Sequence, residues 1–172
     1  MPSSAGGNQR EYDGLVAAVE RDHPVLMDPV TELPSRLHFD VVYRVVFAAG
    51  TRGFPITVLL IEAPTLEDSL DHLRELARRL AAVTRRMDLL ARFDAGRFVA
   101  LLLGCNVHGG RVAAERLVLA LEPWLHEKSA EMKIGVAALQ PHMKEEQELI
   151  AEAREALIQA HAVLGSSVEA RP

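Results

Sequence analysis

The chain is expected to fold as an α/β domain, a central mixed sheet covered by helices. Three features predict it. Amphipathic helical stretches alternate with short β-branched apolar runs along most of the 172 residues. Two of those runs, DLLARF and RFVALLLG, are separated only by the turn Asp94-Ala95-Gly96, which makes them an antiparallel hairpin. The other strands are joined through helices, so hairpin and crossover connections share one sheet.

The elements follow in order. Residues 1–10 are Gly/Ser-rich and predict a flexible start. Leu15, Val16 and Val19 fall on one face of a short amphipathic helix, which with its connector occupies 11–27. Pro24, Pro29 and Pro34 break the next stretch, and Pro34 or Ser35 opens a helix ending at Gly50. FPITVLLIEAP is the best candidate for a buried strand. Leu66, Leu70, Leu73, Leu76, Leu80 and Val83 then recur at helical spacing, with Thr65 as the expected N-cap and Asp68 in the capping-box position. After the hairpin come a helix over GGRVAAERLVLALEPWL, a strand over MKIGVAAL, and a last helix from Lys144 to Gly165 whose acidic first turn suits the helix dipole. The folded domain is expected over 28–165, with 166–172 as a tail.

Composition narrows the function. An apolar share of 49% with 25% charged residues describes a globular domain. A net charge of -5 argues against broad nucleic-acid binding and against an anionic membrane surface. The first ten residues lack the pattern of a signal peptide, and no apolar run approaches the roughly 20 residues of a membrane span, so a cytoplasmic location is expected. Cys105, the single cysteine, excludes an internal disulfide and follows the apolar run VALLLG, which predicts a buried structural thiol. The seven histidines form no zinc-like cluster. Asp28, Glu32 and Asp40 read as capping and surface residues, His108-Gly109-Gly110 as a loop, and Trp124 as packing at a helix end.

Four stretches in this order resemble the GGDEF family, the diguanylate cyclase domain that condenses two GTP molecules into cyclic di-GMP. DPVTELPSR resembles its opening motif at Asp28, Thr31, Leu33, Pro34 and Arg36; ARFDAGRFVALLLG resembles the signature hairpin; KIGVA and AREALIQAH resemble a later strand and the last helix. The resemblance implies a central mixed, largely antiparallel sheet flanked by helices. It also exposes departures. Asp94, Ala95, Gly96, Arg97 and Phe98 stand where Gly-Gly-Asp/Glu-Glu-Phe is usual. Side chains at 94 and 95 would collide with a nucleotide that two glycines admit, and Asp94 would repel its phosphates. An arginine at 97 cannot ligate a hard cation. Glu62 falls at the strand-end metal position, His161 at a phosphate-binding lysine and Gly165 at a later arginine, while the Asn and Asp that recognise guanine have no counterpart. The implication is a domain without cyclase activity, cofactor or magnesium.

A second family feature remains. Many members carry an inhibitory product site, R-x-x-D, five residues before the signature. Arg85-Arg86-Met87-Asp88 precedes Asp94 by LLARF, the same spacing. Arginine offers a planar fork to guanine O6 and N7, and a carboxylate accepts from N1–H and the amino group. Arg86 reads as a solvated neighbour or a further phosphate contact, and Arg116 as an exposed helix residue or, by the resemblance, the arginine that such sites draw from a second subunit. Residues 74–97 carry seven arginines against Glu75, Asp88 and Asp94, a local positive field suited to two phosphates. The expected function is a cyclic di-GMP receptor acting through Arg85, Asp88, Arg116 and Arg86 and relaying to a protein partner, with a homodimer as one way to complete the site. The alternative is a nucleotide-independent interaction scaffold, for which the Arg85/Asp88 spacing has no purpose.

Overall fold

The computed structural model describes residues 26–171. Within them the order is α1 (Arg36–Gly50), β1 (Ile56–Glu62), α2 (Leu70–Val83), β2 (Leu89–Arg92), β3 (Arg97–Leu103), α3 (Val107–Glu127), β4 (Lys133–Ala138), α4 (Glu146–His161) and β5 (Ser167–Arg171). The strands form one sheet, β2-β3-β1-β4-β5. Only β4 and β5 run parallel; the other three pairings are antiparallel. The mixed, largely antiparallel α/β architecture expected from the sequence is the one observed. The expected N-terminal helix lies outside the described residues, as does its connector save Leu26 and Met27.

The uniform hydrophobicity of β1 follows from its central position. Val58 and Leu60 face a core built with Phe39, Tyr43 and Phe47 of α1 and Leu149, Ala153 and Leu157 of α4. Leu59 and Ile61 face a second core with Leu73, Leu76 and Leu80 of α2 and Leu117, Leu121 and Trp124 of α3. A strand covered on both faces has no solvent side and so no polar alternation.

Three boundaries differ from expectation. Thr65 does not cap α2: Pro64–Leu66 is a separate 3-10 turn that buries Leu66, and the helix restarts from Ser69, whose Oγ accepts from His72 N–H at 3.3 Å. The restart turns Leu70 outward, 54% exposed. Ser69→Ala is therefore expected to cost about 1 kcal/mol in urea unfolding, whereas Thr65→Ala should not reproduce that loss. Gly109 and Gly110 lie in the first turn of α3 rather than in a loop, because Asn106 Oδ1 accepts from Gly109 N–H at 2.9 Å and starts the helix early. Last, α4 stops at His161, and residues 167–171 of the expected tail form β5. Ser167 anchors that strand, its hydroxyl donating to Ala160 O at 2.7 Å, and Arg171 pairs with Glu152 at 2.8 Å.

The register sets the site. Glu62, the last residue of β1, stands opposite Arg97 on β3 and Lys133 on β4.

Candidate functional site

The signature hairpin lies at that end of the sheet. Asp94, Ala95 and Gly96 turn between β2 and β3, and Phe98 is buried in the core. Nε and Nη2 of Arg97 both lie 2.6 Å from Oε1 of Glu62, while His161 Nε2 sits 2.6 Å from Oε2. Arg97 Nη1 also reaches Asp94 Oδ2 at 3.1 Å. The Glu62 carboxylate is thus engaged on both oxygens by side chains of this chain. Lys133, 5% exposed, donates to the Val163 and Gly165 carbonyls and satisfies the turn after α4. The lone lysine in the apolar run MKIGVAAL was the sequence signal for that contact.

Gly96 is buried beneath Glu67. A Cβ at position 96 would meet Glu67 Oε2 at 1.9 Å, so Glu67 fills the room beside the turn. Nothing in the sequence spacing pointed to Glu67. Arg92 ties the turn to the opening loop: it donates to Ala95 O at 2.6 Å and Asp94 O at 3.2 Å, and its Nη1 lies 3.1 Å from Asp28 Oδ2. Asp28 also accepts from Thr31 N–H and Oγ1–H at 2.8 and 2.7 Å. Burial alone would raise the Asp28 carboxyl, but the Thr31 and Arg92 donors hold it below the ordinary carboxylate range. Asp28 and Asp40, which pairs with Arg36 at 2.8 Å, are thus structural. Gly165 adopts φ +77° in the turn before β5.

These residues do not fit a hard divalent cation. Glu62 is the one strand-end carboxylate, a guanidinium already occupies one of its oxygens, and Gly96 brings no side-chain oxygen. Among the described residues no group of three His, Cys, Asp or Glu is arranged to hold a metal.

The second cluster lies at the other end of the hairpin. Arg85, Asp88 and Arg116 line one cavity of about 260 Å³ with Leu102, Cys105, His108, Gly109, Val112 and Ala113. Arg85 and Asp88 occupy the turn from α2 into β2, locked by Asp88 N–H donating to Arg85 O at 3.0 Å and by Asp88 Oδ1 accepting from Leu103 N–H at 3.1 Å. Arg116 comes from α3 of the same chain and reaches the Val83 carbonyl at 3.4 Å. The three residues therefore line one cavity within a single chain. Arg86 is exposed on the same turn and is not among the lining residues.

Cys105 is half-buried on the cavity wall rather than fully buried. Burial pushes its thiol up, and the Asp88 charge adds to the rise, so it is a poor nucleophile. Sequence reasoning missed the contribution of the first turns of α3. The spacing of His108, Val112 and Arg116, four apart, would have placed all three on one helix face had the helix been started at Val107.

A family model described as "Diguanylate cyclase, GGDEF domain" matches residues 25–164. No curated protein matches the chain by sequence. Among solved structures, the chain is similar to the GGDEF domain of FimX from Pseudomonas aeruginosa, with TM-score 0.69 and 24% identity over 85% of this chain and 99% of that one. It is similar to the GGDEF domain of DgcB from Caulobacter crescentus in complex with c-di-GMP, with TM-score 0.70 and 16% identity over 84% and 95%. It also resembles the diguanylate cyclase SiaD in complex with its activator SiaC from Pseudomonas aeruginosa, with TM-score 0.77 and 18% identity over 95% and 67%. At these identities the structural likeness carries the fold.

Proposed function

Because this chain belongs to the GGDEF family of diguanylate cyclase domains, we propose that it is a non-catalytic receptor for cyclic di-GMP, read through Arg85, Asp88 and Arg116. The observation that carries this reading is that those three residues line one cavity. Arg85 presents its fork to the guanine O6/N7 edge, Asp88 accepts from N1–H and the amino group, and Arg116 balances a phosphate. Arg86 adds positive charge from the same turn without lining the cavity. Binding needs no magnesium, because both arginines carry the counter-charge themselves.

The cavity volume says how the ligand would sit. Sites that enclose a drug-sized molecule run to about 300–1,000 Å³, so about 260 Å³ takes one guanine and its neighbouring phosphate. The rest of the dinucleotide would project into solvent, where a protein partner or a second copy could meet it. The SiaD structure, solved with an activator protein, supports a protein-directed role for this fold. The place of action would be the cytoplasm. Among the described residues no helix is long and apolar enough to cross a membrane.

The test is calorimetric titration with cyclic di-GMP, with GTP and Mg²⁺ as control. Expected is micromolar or tighter binding, about -8 kcal/mol or better, weakened roughly 10- to 100-fold in Arg85→Ala. Arg85 is a cleaner probe than Asp88, whose removal would also strand the Leu103 amide. Absence of binding at millimolar ligand would leave the nucleotide-independent scaffold as the reading.

A further inference from the structure

In the cavity of Arg85, Asp88 and Arg116, those three residues account for a base edge and a phosphate. Its α3 wall carries two further side chains that have no part in that reading, His108 and Val112. His108, Val112 and Arg116 are spaced four apart, so they form one row along α3, about 12 Å from end to end. All three are exposed, Val112 by 51%.

Helix α3 itself gives no reason for either residue. A β-branched valine is a poor helix former. The first turn, where His108 stands, favours acidic side chains through the helix dipole. No fixed contact holds the imidazole either: among the described residues the His108 ring makes no hydrogen bond or ion pair. Its polar neighbours are committed elsewhere, Asn106 Oδ1 to Gly109 N–H at 2.9 Å and Arg111 to Glu115 at 3.0 Å. The wall beside His108 is flat, since Gly109 carries no side chain and a Cβ there would meet Cys105 Sγ at 2.8 Å.

The order of the row says where the parts of a nucleotide go. With a phosphate at Arg116 and the base edge at Arg85 and Asp88, the flat face of the base is left to the other end. His108 stands there, and it is the one ring among the cavity's lining residues. An imidazole face stacks on a purine and, like other aromatic platforms, adds affinity without reading which base it is.

We propose that His108 is the stacking platform for the bound guanine, with Val112 against its ribose. The α3 wall then holds the face of the base while Arg85 and Asp88 read its edge. This rests on the receptor reading, and the variants separate the two. The full chain is titrated with cyclic di-GMP beside His108→Ala, His108→Phe and Arg85→Ala. His108→Ala is expected to weaken binding roughly 5- to 100-fold, the loss of one base–aromatic stack. His108→Phe keeps a ring and should keep the native affinity. In His108→Trp the ligand should quench the new indole, against a steady background from Trp124, which is 6% exposed. Native affinity in His108→Ala, equal losses in the Ala and Phe variants, or an indole that ligand leaves unchanged would overturn the platform while Arg85→Ala still reported the site. No binding by the native chain would overturn the receptor reading and the platform with it.

Discussion

Alanine at position 135 is expected to destabilise the protein by about 3 kcal/mol or more, the upper end of what over-filling a core costs. Gly135 lies in mid-strand on β4, opposite Leu60 on β1 and Glu169 on β5. A Cβ there would meet Ala153 O at 2.2 Å, Leu157 N at 2.3 Å and Leu157 Cα at 2.7 Å. These are backbone atoms of α4, so no rotamer change relieves them and the whole helix must lift. Leu149, Ala153 and Leu157 would then lose their seats in the core shared with α1. Against a typical total of about 5–15 kcal/mol, that is a large fraction. Urea unfolding checks it; a loss under about 1 kcal/mol would mean that α4 slides on the sheet freely.

Incubated with GTP and Mg²⁺, the protein is expected to form no detectable cyclic di-GMP. Restoring the signature by Asp94→Gly, Ala95→Gly, Gly96→Asp and Arg97→Glu together should not confer activity. Those changes would free Glu62 from the guanidinium, and the exposed Glu67 side chain can swing clear of a new Cβ at 96, but they leave two obstacles. His161, not a lysine, faces Glu62 at 2.6 Å. The loop APTLEDSLDH also lacks the Asn and Asp that the family uses for guanine. Chromatography of the nucleotide products reads the outcome. Product from the native chain would sink the non-catalytic reading; product from the fourfold variant alone would show that the signature was the whole defect.

Much of the fold was legible because both sheet faces are covered. Dense apolar runs separated by helical periodicity leave few alternatives, and the turn at 94–96 dictated one antiparallel pair. β5 was not legible. Its sequence, SVEAR, is short and polar, since four of its five residues stay half-exposed on a sheet edge, and its pairing with β4 comes from contacts distant in sequence. The cap of α2 was misread for a similar reason: burial of Leu66 favours a separate 3-10 turn over the local capping signal at Thr65.

The candidate site divides in the same way. The sequence by itself determined which residue types stand at 94–98 and the Arg85/Asp88 spacing, because a short turn holds both in fixed register. Only the tertiary structure decided what surrounds them: Arg97 and His161 closing on Glu62, Glu67 over Gly96, and Arg116 lining one cavity with Arg85 and Asp88 within one chain. Each of those contacts joins separate elements, and the distance between them is set by how helices seat on the sheet. Local sequence records periodicity and turn chemistry, while seating depends on side-chain volumes that meet only after the chain has folded.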